Sequence, residues 1–359
     1  MEALEFFYDK SIAKYEFLPR KCAIEPAEKI LITGPKYCGK YSLTQEFLHT
    51  YYRPKEVLLI DFDDARADIT AIQKDIQTFI SQNKIKIVVY YNPPLSIDIP
   101  AVESFVVVSH QKRELVDAKH YRLTNLDFEE YLLFEKRSDI KIAFNNFLKN
   151  GNYPAIPFIE EFKKDKVYQE MLMLTFKEDF AIFKEIAFYQ GYNISAYFLF
   201  TRLKERFKIS KDRFYALFEQ WQRDRYIYLV PKFGAKRAAS KLFFHDFTIK
   251  SRLFTQKEFP KSFENMVYLE IADQEICYLE PLGFYNPKQE LLILAIPFGN
   301  ETRIQQRIEQ VLAKNSIPLK KIEVVTIATD FLYEIKDIPI EITPFYSWAI
   351  AKESSETLY

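Results

Sequence analysis

The heptapeptide GPKYCGK, Gly34 to Lys40, constrains this chain more than any other segment because of what flanks it. Ahead of it stands the apolar run Ile30 to Ile32; behind it Leu43, Phe47, Leu48 and Tyr51 recur at helical spacing. A strand, a glycine-bounded loop and a helix are the setting in which Gly-x-x-x-x-Gly-Lys acquires a mechanical meaning. Gly34 and Gly39 let the backbone curl until its N–H groups point inward. The segment Gly34, Pro35, Lys36, Tyr37, Cys38, Gly39, Lys40, Tyr41 and Ser42 then makes a concave nest, to which the helix adds its positive N-terminal end and Lys40 a full charge. A nucleoside triphosphate fits such a nest; a loop retained for the fold alone is the alternative.

Loops of this type usually place a Ser or Thr directly after the Lys to ligate Mg²⁺, and draw an acid from the end of another strand. Here Tyr41 occupies the hydroxyl position and Ser42 comes one residue late. The apolar run IKIVVYYNPP ends in Tyr90, Tyr91 and Asn92, with no carboxylate. Asp61, Asp63 and Asp64 in LLIDFDD could substitute as the acid for Mg²⁺, but they belong to the strand that follows the loop's helix, which commonly lies aside from the phosphates, and a solvated strand end is the preferred reading. No metal ligand can be named from the sequence. The groups that stabilise phosphoryl transfer are incomplete, so weak or absent hydrolysis is expected.

At 359 residues the chain exceeds one hydrophobic core, and with 48% hydrophobic and 28% charged residues it lies far from the composition of disorder. Short apolar runs alternating with helical patterns predict a parallel α/β sheet over residues 1–126. Residues 127–180 read as a helical extension, interrupted by a turn at Gly151 and Pro154. Residues 181–252 read helix, helix, helix, hairpin, with Ser195 and Ser210 as helix caps and Gly234 in the hairpin turn, the order of a winged helix. Residues 253–359 read as a second, small α/β domain without a glycine-rich loop: a helix from Phe263, strands ICYLE and ELLILAI, a helix near 301–314 and a strand IEVVTIA. Cys22, Cys38 and Cys277 are too few and scattered for a disulfide framework or zinc site, and no stretch approaches a membrane span. A soluble, cytoplasmic chain with no membrane partner is the expectation. His110 and His245 are isolated and read as structural.

Net charge is zero overall, but residues 181–252 carry 15 Lys or Arg against 6 Asp or Glu. A winged helix would offer Lys211, Arg213 and Arg223 on its third helix, and Lys232, Lys236, Arg237 and Lys241 on its wing, to the phosphates of double-stranded DNA. The same cations could contact the acidic remainder of the chain or a protein partner, or coat a solvated face. Phe214, Leu217, Phe218 and Trp221 form a core stripe at helical spacing.

The order of GPKYCGK, HYRLTNLDFEEYLLF (120–134), FLKNGNYP (147–154) and SFENMVYLEI (262–271) resembles AAA-type ATP-binding proteins of bacteria and archaea, in which a P-loop domain precedes a winged helix and a restriction-endonuclease-like domain. The resemblance implies ATP as the nucleotide and places Arg122 and Glu130 in the segment closing the ATPase domain. It also implies an endonuclease-like last domain, degenerate here: ICYLEPLGFY and ELLILAIPFG lack the acid and acid-x-Lys arrangement, and Glu264, Glu280 and Glu290 stand unaccompanied in sequence. The expectation is an ATP-binding P-loop protein that couples nucleotide state to a winged helix and an inert nuclease-like module. The alternative is a non-enzymatic DNA- or protein-binding adaptor with a vestigial nucleotide site.

Overall fold

A computed structural model describes residues 2–10, 12, 20–135, 139–235, 237–335 and 338–356. The chain divides into two compact units, Met1–Asn125 and Leu126–Tyr359.

The first unit contains α1 (Glu2–Asp9), β1 (Lys29–Thr33), α2 (Lys40–Tyr51), β2 (Val57–Asp61), α3 (Ile69–Asn83), β3 (Ile87–Tyr91), β4 (Ser104–Ser109) and β5 (Lys119–Arg122). The strands form one parallel sheet in the order β2-β3-β4-β1-β5. Its strands are apolar at consecutive positions because both faces are covered. Leu31, Leu58, Ile60, Val88, Phe105 and Val107 point to the side packed by α1 and α3, through Leu4, Phe7, Ile72, Ile76 and Phe79. Their neighbours Ile30, Ile32, Leu59, Val89, Val106 and Val108 point to the side packed by α2, through Leu43, Phe47 and Leu48. Leu43, Phe47 and Leu48 of the helical repeat read after the loop are thus the face with which α2 covers the sheet, whereas Tyr51, the fourth residue of that repeat, is exposed. Two elements have no counterpart in the sequence reading. β5, KHYR, carries no aliphatic residue and is exposed at every position but Tyr121; α1 packs Leu4 and Phe7 although its sequence is charged throughout.

The second unit opens with α4 (Phe128–Glu135), α5 (Ile140–Asn150) and α6 (Lys164–Phe176). There follow α7 (Phe180–Ala187), β6 (Asn193–Ile194), α8 (Ala196–Lys204), α9 (Lys211–Arg223), β7 (Ile227–Val230) and β8 (Ser240–Phe244). The hydroxyls of Ser195 and Ser210 accept from the Phe198 and Arg213 amides and so start α8 and α9. β7 and β8 form the foreseen antiparallel pair, and β6 completes an antiparallel sheet in the order β6-β8-β7. Phe214, Phe218 and Trp221 of α9 are buried in a core shared with α6, α7 and α8.

After α10 (Ile249–Leu253) and α11 (Phe259–Leu269) come β9 (Cys277–Tyr278), β10 (Phe284–Asn286), β11 (Leu291–Ala295), α12 (Glu301–Lys314), β12 (Lys321–Thr326), β13 (Phe331–Ile335), β14 (Ile338–Pro344) and α13 (Phe345–Glu356). The strands make a mixed sheet in the order β13-β14-β12-β11-β10-β9. β11, β12 and β14 are its parallel centre and β9, β10 and β13 its antiparallel margins. The sequence reading has β9, β11, α12 and β12 but not β10, β13, β14 or α13. β10 spans three residues, and β14 carries a proline near each end, which blurs its alternation. Among the described residues no helix is long and apolar enough to cross a membrane.

Candidate functional site

β1 delivers its loop to the carboxyl edge of the first sheet, where open α/β sheets bind ligands. The turn begins at Gly34, whose φ is 156°. A Cβ there would stand 2.1 Å from the Leu123 carbonyl oxygen, so only glycine lets the loop pass the segment leaving β5. Arg20 donates to the carbonyls of Cys38 at 2.6 Å and Thr124 at 2.9 Å, tying the loop to that same segment. Tyr37 and Gly39 take left-handed φ values of 63° and 96° and bend the loop into its concave form. Gly39 is the N-cap of α2, and a glycine offers no side chain to cap it.

Lys40 lies inside this curve, 2% exposed. Its ammonium donates to the carbonyl oxygens of Gly34 at 2.7 Å and Pro35 at 2.5 Å and lies 3.8 Å from Cys38 Sγ. Burial pushes its pKa below the ordinary lysine value, against the opposing effect of Cys38. The cation is therefore held by two carbonyl dipoles and by Cys38, with no ion pair among the described residues, a setting that a bound anion would relieve. Pro35 is buried, Lys36 half-buried and Tyr37 exposed. Tyr41, at the hydroxyl position, packs edge-to-face on Tyr91 with ring centroids 5.7 Å apart, and Ser42 is half-buried one residue further along α2.

The three aspartates after β2 have different fates. Asp64 is clasped by Arg66, whose hydrogen bonds hold its carboxyl down to about 2. Asp61 accepts from the Asp63 amide, and burial pushes its carboxyl up. Asp63 accepts from Asn92 Nδ2 at 2.6 Å, and Asn92 Oδ1 in turn accepts from the His110 amide at 3.2 Å and lies 2.8 Å from His110 Nδ1. This polar chain crosses the adjacent ends of β2, β3 and β4. The tyrosine of the loop registers it: the Tyr37 pKa is raised by burial and then by the Asp63 charge. Although β2 is the strand farthest from β1 on its side of the sheet, Asp63 turns back from it toward the strand end where an acid was missing. Left-handed Asn92, at φ 48°, supplies the link. The sequence held one signal for this, a carboxylate and an amide each just beyond a strand end, but not their adjacency.

The side chains do not fit a Mg²⁺ ion ligated by a hydroxyl and a strand-end acid. Tyr41 is packed on Tyr91, and an oxygen of Asp63 is taken by Asn92. Among the described residues no group of three or more His, Cys, Asp or Glu could hold a metal.

The candidate nucleic-acid residues scatter. Lys241 is buried, with its ammonium 2.6 Å from Glu264 and both side chains under a tenth exposed. Lys232 pairs with Glu280 at 2.8 Å, and the adjoining Phe233 amide donates to the Tyr278 carbonyl, so the hairpin's base is bonded to β9. Arg213 pairs with Asp179 at 2.7 Å. Lys211, Arg223 and Arg237 are exposed, and Lys236 lies outside the described residues. Arg225, Lys250 and Arg252, basic residues of the same region, meet Asp273, Glu258 and Asp165. Much of the positive charge counted in 181–252 is thus answered by acids on both sides of it in sequence.

Glu264, Glu280 and Glu290 are each accompanied in space, by Lys241, Lys232 and Lys320. Lys321 bridges Glu323 at 3.0 Å and Glu341 at 2.7 Å, a constellation hidden from the sequence because β14 was not foreseen. Glu130 is buried in α4, and Arg122 is exposed at the end of β5. His245 is fully buried between the Tyr226 carbonyl at 2.9 Å and the Tyr153 hydroxyl at 2.5 Å.

Fold and loop together define a parallel α/β unit with a strand–loop–helix at its carboxyl edge. No protein-family model and no curated protein matches the chain. Among solved structures, a Walker-type ATPase of Pyrococcus abyssi is similar at a TM-score of 0.42 and 14% identity, over 63% of this chain and 91% of that one.

Proposed function

We propose that residues Gly34 to Ser42 bind a nucleoside triphosphate, ATP, and that the chain is a nucleotide-responsive P-loop protein with weak or absent hydrolysis. The observation that carries this reading is Lys40. It is a buried cation at the start of helix α2, folded back under a loop with left-handed φ at Tyr37 and Gly39, where it donates to the Gly34 and Pro35 carbonyls. Tyr37 and Tyr41 support it as well, since one ring is exposed and the other is packed on Tyr91. The absence of a hydroxyl beside Lys40, and the engagement of Asp63 by Asn92, argue against efficient phosphoryl transfer. In the second unit, the order α7, β6, α8, α9, β7, β8 supports the winged-helix reading of 181–252, and the mixed sheet beyond it supports an inert nuclease-like module.

The test is calorimetric titration of ATP into the full chain and into Lys40→Met and Lys40→Arg, with thermal melts to verify folding. Binding to the native chain that falls at least tenfold in the methionine variant is expected. A native chain that takes up no ATP overturns the proposal and leaves the adaptor reading. Within the second unit, Arg213, Lys232 and Lys241, drawn from α9 and the hairpin, already have acidic partners, which favours internal docking of these cations over contact with DNA.

A further inference from the structure

Away from the phosphate loop, the second unit contains a cavity of about 340 Å³, within the range of about 300–1,000 Å³ usual for small-molecule sites. Four segments enclose it: the end of α5, the start of α6, the stretch from Phe247 through α10, and the first turns of α11. Leu148, Phe247, Phe259 and Phe263 supply an apolar surface, and Ser251 and Ser262 supply hydroxyls.

Charge decides what such a cavity accepts. Its lining holds three carboxylates and three cations, but they are not evenly committed. Glu161 receives both Lys149 and Lys164. Asp165 receives Arg252, whose guanidinium also donates to the Lys149 carbonyl. Glu258 receives Lys250, Lys261 and the Tyr192 hydroxyl. Burial alone would raise the Glu258 carboxyl, yet these three donors hold it down to about 2, so it stays an ionised and neutralised group. Every lining carboxylate therefore has its counter-ion, and two of the three draw lysines from outside the lining. Lys257, exposed at the rim, has no carboxylate partner among the described residues. The balance of uncommitted charge is positive. The lining also includes Ser262, whose hydroxyl makes no hydrogen bond among the described residues, in the first turns of an eleven-residue helix with no side-chain cap.

We propose that this cavity binds a small amphipathic anion, a carboxylate or sulfonate on an aromatic or aliphatic body. The body rests on Phe247, Phe259 and Phe263, and the head group meets Lys257 and the Ser262 hydroxyl. The site is lined by the end of α5, α10 and the first turns of α11, so an occupant would brace three elements. It is independent of the phosphate loop and holds whether or not ATP binds there.

The experiment uses naphthalene-1-sulfonate as probe, with uncharged naphthalene-1-methanol as control, titrated into the full-length protein by calorimetry. One saturable site is expected for the sulfonate, with the alcohol at least fivefold weaker. Lys257→Glu should weaken the sulfonate at least tenfold and leave the alcohol unchanged. Ser262→Phe, which fills the cavity, should remove both, with thermal melts verifying that each variant folds. Sulfonate binding that survives both substitutions in folded protein overturns the site. Equal binding of sulfonate and alcohol overturns its anionic character.

Discussion

Two glycine and lysine positions show how far single side chains determine this protein. At Gly34 the conflict is geometric: a methyl group would overlap the Leu123 carbonyl oxygen at 2.1 Å. Gly34→Ala is expected to displace the loop, destabilise residues 1–125 by about 2 kcal/mol or more, and weaken ATP at least tenfold. Hydrogen exchange of β1 and α2 with parallel ATP titration checks both effects. At Lys241 the conflict is electrostatic, because its ammonium and the Glu264 carboxylate are buried together. Lys241→Ala leaves a buried carboxylate unpaired and should cost about 3–5 kcal/mol, whereas Lys241→Met with Glu264→Leu should recover most of that loss. Urea denaturation of the single and double variants measures the difference. Both positions could be marked in the sequence, Gly34 by its motif and Lys241 by its charge. Only Gly34 was read in its structural setting, because a loop motif is local and an ion pair between residues 23 apart is not.

Elements repeat the lesson at larger size. α2, α3, α8 and α9 were legible because each carries its apolar face at helical spacing, and α8 and α9 open on a serine that caps the first turn. The polar face of α9 was harder to assign. Phe214, Phe218 and Trp221 face inward, leaving Lys211 and Arg223 exposed and Arg213 held by Asp179. If α9 contacts DNA, it does so with few cations. Lys211→Glu combined with Arg223→Glu should then abolish a mobility shift that Lys232→Ala leaves intact, and the native shift should weaken with a shallow salt slope of about two phosphates. A protein that shifts no duplex at low salt would dispose of the DNA reading and favour docking. β13 and β14 were missed for the opposite reason: their pattern is interrupted, and pairing with β12 completes it.

Across the whole molecule, pH should expose the buried polar connections of the second unit. His245 is shut in between Tyr153 and Tyr226, and burial lowers its pKa from 6.5 to about 4. Between those values the unfolded chain binds a proton that the folded chain excludes, so stability falls as pH drops from about 6.5 toward 4. By linkage, this one residue contributes a loss of order 3 kcal/mol. Above 6.5 both states are neutral and the residue adds no slope. His245→Gln should be less stable at pH 7.5 yet show a flatter decline between pH 6.5 and 4.5, measured by urea denaturation across the series. An unchanged slope would show that other groups carry the acid sensitivity. The sequence alone determined the strand–loop–helix around Gly34, the alternation that makes the first sheet and the apolar faces of the main helices, because each of these depends on residues close together in the chain. Only tertiary structure decided where Asp63 turns, which acids meet the basic stretch and which segments enclose the cavity beside α11, because charge and cavity shape depend on neighbours that the fold, not the chain order, supplies.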